Sequence, residues 1–131
     1  MIHQQRVIYG DTDQMGVVYY ANYLRYFEAA RSTFLRQLGR SYRDVEAWGV
    51  ALPVVEARCR YHRPARYEDL LDIDTRVTEL GGASMRFEYE VRRDGELLAS
   101  GHRLHACVGA DGRPRRLPAE LRALIGDLPR G

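Results

Sequence analysis

Residues 20–38 read Tyr20-Ala-Asn-Tyr-Leu-Arg-Tyr-Phe-Glu-Ala-Ala-Arg-Ser-Thr-Phe-Leu-Arg-Gln-Leu38. Their apolar members fall at helical spacing. Tyr23, Tyr26, Phe27, Ala30, Phe34 and Leu38 recur three and four residues apart, which draws one stripe down one face of a helix. Gly39 stands just past the stripe, where its tolerance of the left-handed conformation suits a helix stop. No other part of the chain holds this period for so long, so the sequence predicts one long helix.

Around that helix the period is two. Residues 2–9 read as a short strand that ends at Gly10. After Gly49, Val55, Ala57, Cys59 and Tyr61 alternate with Glu56, Arg58, Arg60 and His62. Leu71 to Thr78 and Met85 to Arg92 alternate in the same way. Such runs describe antiparallel strands with one buried and one wet face. Asp94-Gly95 is a strong hairpin signal and leads into a last strand over 97–108. Gly101 within it points to a bulge or a close backbone approach. A short helix at Pro118–Ile125 and a frayed tail complete the chain. Strands in succession with one apolar-striped helix predict an α+β domain, a curved antiparallel sheet wrapped around that helix.

The 131 residues amount to one domain's worth, taken as 1–131, with enough chain for a real core. Twenty basic and 18 acidic residues leave a formal charge of +2, too weak a field to point at nucleic acid or anionic lipid. Every basic residue is Arg, so a Schiff-base lysine, a lysine base and a P-loop lysine are all excluded. Two cysteines make no disulfide framework, and neither a signal segment nor an apolar run of membrane-spanning length stands out. The expectation is a reduced, soluble, cytoplasmic protein.

The densest chemistry lies in residues 9–28. Asp11 and Asp13 sit in the connection between the first strand and the helix. Free backbone N–H groups and the dipole at a helix start can hold a negative oxygen there. A carboxylate beside such donors is what acyl transfer requires, although a bare Asp-x-Asp is more often a turn-former. A calcium loop fails on spacing, because its fifth and twelfth positions would be Met15 and Asn22. His102 and His105 lie three apart in a strand and point to opposite faces, so no metal site is expected. Without a G-x-S-x-G elbow, a serine triad of the hydrolase-fold type has no support. The arginine clusters, among them Arg58-Arg60-Arg63-Arg66, read as solvated strand faces.

Tyr9-Gly-Asp-Thr-Asp13-Gln-Met-Gly16-Val-Val-Tyr-Tyr20-Ala-Asn22-Tyr23, followed by Phe27-Glu28-Ala-Ala-Arg31, resembles the hotdog-fold acyl-CoA thioesterases, in the 4-hydroxybenzoyl-CoA thioesterase-like and Tol-Pal-associated branch. Tyr61-His-Arg-Pro64-Ala-Arg66-Tyr-Glu-Asp69 and Gly81-Gly-Ala-Ser84 share the likeness, which spans roughly residues 3–120. The resemblance implies five antiparallel strands around one helix and hydrolysis of an aromatic or short-chain acyl-CoA. It implies that Asp13 is the catalytic carboxylate, either attacking the carbonyl or activating water. The backbone N–H of Tyr20 would polarise the thioester carbonyl. Gly16, Val17, Tyr19, Asn22 and Tyr23 would contact substrate, as would Gly82 and Ser84. Coenzyme A belongs to the substrate, so no separate cofactor is implied. The family assembles as homodimers or homotetramers with sites at subunit interfaces. A hotdog dehydratase and a non-catalytic acyl-CoA-binding protein are the rival readings; the first wants a histidine that residues 9–28 lack.

Overall fold

A computed structural model describes residues 1–126 of the chain. Five strands form one antiparallel sheet: β1 (Ile2–Arg6), β2 (Val54–Tyr61), β3 (Leu70–Leu80), β4 (Ser84–Arg93) and β5 (Glu96–Ala106), in the order β1-β3-β4-β5-β2. Helix α1 (Asn22–Gln37) lies across the inner face, and α2 (Tyr42–Ala47) and α3 (Ala119–Ile125) close the ends. This is the expected α+β architecture. The tail after residue 126 lies outside the described residues.

The stripe on α1 is what the sheet closes over. Tyr23, Tyr26, Phe27, Ala30, Phe34 and Leu35 are buried, and Leu38 packs half-buried at the end. Opposite them, alternate residues of β4 point inward: Met85, Phe87, Tyr89 and Val91 are each at most 1% exposed. Phe27 stacks flat on Tyr89 with ring centres 4.3 Å apart, and Phe34 meets Phe87 edge-on at 5.7 Å. Gly101 is the reason Phe27 can sit so deep. A Cβ there would run into the carbonyl oxygen of Arg58 on β2 and into the Phe27 ring, so the close approach that the sequence suggested is real.

Several boundaries differ from expectation: β1 stops at Arg6, with residues 9–11 turning as a single 3-10 turn, and the last strand runs Glu96–Ala106. Helix α1 begins at Asn22 rather than Tyr20, because Tyr20 and Ala21 form the tight turn that enters it, with Tyr23 N–H on the Tyr20 carbonyl at 3.3 Å. Helix α2 is additional. Its start is marked by Ser41, whose N–H donates to the Asp44 carboxylate at 2.8 Å, a reciprocal cap that six helical residues follow.

The last strand runs through two environments. His102 faces outward and His105 inward, as residues three apart on a strand must. The outer face is tied by ion pairs, among them Arg92–Glu90 at 2.7 Å and Arg76–Glu90 at 3.6 Å. Edge strand β2 is covered by little: seven of its eight residues are exposed. No described helix is long and apolar enough to cross a membrane.

Candidate active site

The loop between β1 and α1 is built around two aspartates with opposite fates. Asp11 closes a single 3-10 turn and is only 6% exposed. Its carboxylate accepts from the Tyr26 hydroxyl at 2.8 Å, and its carbonyl accepts from Tyr19 N–H at 2.9 Å and from the Asn22 amide at 3.0 Å. Burial and the adjacent carboxylate hold the Tyr26 phenol far above its usual range. Asp11 therefore straps the loop to the first turns of the helix.

Asp13 does something else. One oxygen, Oδ1, accepts from Met15 N–H at 2.8 Å, with Val17 N–H at 3.5 Å. Gly16 completes this turn at φ +80°, a left-handed conformation that side chains rarely adopt. Among the described residues Asp13 has no ion-pair partner, and its second oxygen accepts no hydrogen bond. The carboxylate is half-buried and aimed by its turn.

Beside it opens a cleft of about 370 Å³, lined chiefly by apolar and aromatic groups: Val17, Val18, Tyr20, Tyr23, Tyr61 and Pro64. The tyrosines brace one another. Tyr61 donates to the Tyr20 carbonyl at 3.0 Å and meets the Tyr23 ring edge-on at 5.2 Å. Burial pushes the Tyr61 phenol up to about 12, so it stays a neutral donor at any ordinary pH. The N–H groups of Tyr20 and Ala21, at the mouth of α1, find no acceptor among the described residues. Asp13 and Tyr20 thus border one cleft next to the start of α1, and a carboxylate beside unpaired helix-start amides is an arrangement that can hold a carbonyl while its carbon is attacked.

Of the residues expected at the site, Asp13, Val17, Tyr20 and Tyr23 come together here, with Gly16 in the turn below. Asn22 does not: its amide is spent on the Asp11 carbonyl, and it neither caps the helix nor enters the cleft. Tyr19 flanks the outside, its ring 4.5 Å from that of Tyr20 and 42% exposed. Leu52 is a core residue, away from the cleft lining. Gly82 and Ser84 sit on the β3–β4 turn, where the Gly82 carbonyl accepts from Leu117 N–H at 2.8 Å. The eleven residues of β3, about 30 Å of strand, separate that turn from the cleft of the same chain. Missed at the site were Met15, Val18 and the run Tyr61-His-Arg-Pro64. The strand period carries no hint that β2 ends beside the helix start; only the sheet order does that. Among the described residues no cluster of His, Cys, Asp or Glu has the make-up of a metal site.

The fold and this cleft place the chain in a known class. Residues 7–125 match the family model of the thioesterase-like superfamily, and the chain belongs to that family. It is 38% identical over 118 residues to the acyl-CoA thioester hydrolase YbgC of Escherichia coli O157:H7, an alignment covering 88% of each chain. Similarity to the 1,4-dihydroxy-2-naphthoyl-CoA hydrolase of Synechococcus elongatus is 35% identity over 121 residues, again 89% of each. The crystal structure of a hypothetical protein from Thermus thermophilus superposes with a TM-score of 0.90 at 40% identity, covering 95% of both chains.

Proposed function

We propose that the protein hydrolyses an acyl-CoA thioester to a free acid and coenzyme A. The observation that carries this reading is that Asp13, with one oxygen unpartnered, and Tyr20, with its N–H unpaired, line the same largely apolar cleft. The thioester carbonyl oxygen accepts from that N–H, and Asp13 acts from the other side of the carbonyl carbon. As nucleophile it displaces the thiolate and leaves a mixed anhydride, which water then opens. As base it takes a proton from the attacking water. Either way water is divided between acid and thiol, and the good leaving ability of thiolate removes the need for a general acid. Asp11, Tyr26 and Asn22 position the loop.

The three tyrosine rings favour a flat aromatic or short acyl group in so small a cleft. Relatives whose names specify acyl-CoA hydrolysis support the substrate class. Edge strand β2 supports a homodimer, with the tetramer as a further level. Its free backbone groups and the exposed Val54, Val55 and Tyr61 present a template for a second copy. Antiparallel pairing of two β2 strands about a two-fold axis would bring the Val54 end of one copy, with its 81–84 turn, toward the Tyr61 end of the other. That gives Gly82 and Ser84 a route to substrate across the interface. We place this single-domain enzyme in the cytoplasm.

The deciding experiment is release of free thiol from a panel of aryl, short-chain and long-chain CoA esters. Thiol release from at least one ester is expected. Tight binding of esters without thiol release would leave a binding module instead, and enoyl product from a 3-hydroxyacyl-CoA would turn the reading to a dehydratase.

A further inference from the structure

The start of α1 lacks the group that ordinarily holds a helix entrance. A side-chain oxygen just ahead of the first turn normally takes one of the free N–H groups, but the residue in that place is Ala21, which has none to offer. Along its own chain the first turn is held weakly. Tyr23 N–H reaches the Tyr20 carbonyl and Leu24 N–H the Ala21 carbonyl, both at 3.3 Å, longer than the usual ~2.9–3.0 Å. A conventional cap would also occupy a helix-start N–H, and the proposed chemistry needs such a donor free.

The missing support comes from the sheet. The Tyr61 hydroxyl donates to the Tyr20 carbonyl at 3.0 Å, so it grips the turn by an acceptor and leaves the N–H groups alone. Tyr61 is delivered by a fixed strand end. It pairs with Ala99 of β5, and just beyond it His62 N–H and Arg63 N–H both donate to the Leu98 carbonyl, at 2.8 and 3.0 Å. Its ring stands edge-on to Tyr23 at 5.2 Å and to Tyr20 at 6.3 Å. The neighbouring phenols serve other partners: Tyr26 donates to the Asp11 carboxylate and Tyr19 to the Tyr20 hydroxyl.

A peptide unit is planar, so holding its carbonyl holds the whole unit. The Tyr19 carbonyl accepts from Asn22 N–H at 2.9 Å, and the Tyr20 carbonyl accepts from Tyr61. The units on both sides of the Tyr20 Cα are therefore pinned, one from the helix and one from the sheet. With them are fixed the direction of the Tyr20 N–H and that of its ring.

We infer that Tyr61 is a positioning residue for the hydrolysis: its hydroxyl stands in for a helix cap, clamping the start of α1 by a carbonyl so that the Tyr20 N–H stays both free and aligned for the thioester oxygen. This rests on the hydrolase reading and adds to it a group that acts through the backbone of another residue. The effect falls on the chemical step, because a misdirected donor loses transition-state stabilisation while the apolar walls that bind the acyl group remain.

The test compares Tyr61→Phe with wild type on benzoyl-CoA and on every other ester of the thiol-release panel that wild type accepts. Phe keeps the ring and removes only the clamp. Expected is a fall in kcat of about tenfold to a hundredfold with KM within about twofold, together with lower backbone order parameters at residues 20–22 by nitrogen-15 relaxation. A merely structural role would lower the melting temperature and leave kcat alone. That result overturns the inference, and so do order parameters at 20–22 equal to those of wild type. Tyr61→Leu removes the ring as well and should add a rise in KM to the same loss of kcat; wild-type kcat in that variant also ends the proposal. The two levels of the reading fail differently. Wild type that releases thiol from no ester removes the hydrolase itself, whereas equal kcat in wild type and Tyr61→Phe removes only the role of Tyr61.

Discussion

The outer face of the sheet and the seam beneath α1 both carry charge, and they treat it in opposite ways. Outside, charges answer one another: Arg92 with Glu90 at 2.7 Å, Arg76 with Glu90 at 3.6 Å, and His102 with Glu56 at 2.8 Å. Along the seam, Asp13 at one end and Arg31 with Arg103 at the other stand without opposite partners among the described residues, and Tyr23 and Phe27 fill the helix face between them. Exposed pairs are nearly free to form and contribute little. Uncompensated charge in a buried seam is costly, and Arg31 meets part of that cost by lying over the Tyr42 ring at 4.9 Å. Asp11 sharpens the contrast. It lies two residues from Asp13, yet Tyr26 satisfies it and it serves only to hold the loop.

The comparison breaks most readily at Asp13. Asp13→Asn should fold, since Oδ1 can still accept from Met15, and should lose turnover by about 10³-fold or more. Steady-state thiol release with an unchanged circular dichroism spectrum checks this; near-normal turnover would remove Asp13 from the chemistry. Next comes the packing between the two ends. Gly101→Ala should cost about 2–3 kcal/mol, because the Arg58 backbone and Phe27 ring must both give way. Denaturant melts would show it as a lower midpoint at constant slope.

His105 makes the seam sensitive to acid. Its folded-state pKa of about 4 lies below the ordinary 6.5. Both states are neutral above that ordinary value, so nothing changes there. As pH falls from about 6.5 toward 4, the unfolded chain takes up the proton first, and stability declines by about 2–3 kcal/mol. Urea melts across that range, compared with His105→Gln, should show a steeper loss in wild type; parallel curves would contradict it. The smallest effect belongs to the outer face. Glu56→Gln removes the partner of His102, which holds the exposed Glu56 carboxyl below its usual range. The variant's melting temperature should stay indistinguishable from wild type at neutral pH, and a clear drop would show that the outer pairs matter more than exposure suggests.

Much of this architecture was legible in the chain. The stripe from Tyr23 to Leu38 and the two-residue alternation of three later strands follow from local periodicity, and Asp94-Gly95 marks the hairpin into the fourth, which is why the layers came out as expected. Gly101 was legible as a close approach because glycine inside a strand needs a reason. That Asp13 and Tyr20 would share one cleft was legible through the motif around them. Helix α2 was missed although Ser41 and Asp44 spell its cap, since six residues carry too little period. The placing of Asn22, Tyr19, Gly82 and Ser84 was not legible: each depends on which neighbour a side chain or turn finds once the loop is closed.

Residue order alone decides which faces are greasy and which wet, since that depends only on spacing along a helix or strand. It also supplies a carboxylate ahead of a helix start. Sheet order decides the rest. Because β2 is laid at the edge next to β5, Tyr61 arrives at the mouth of α1, and because β5 lies beside β4, Arg103 arrives opposite Phe87 on the face beneath α1. Contacts between residues distant in sequence come from that closure, and no local pattern encodes them.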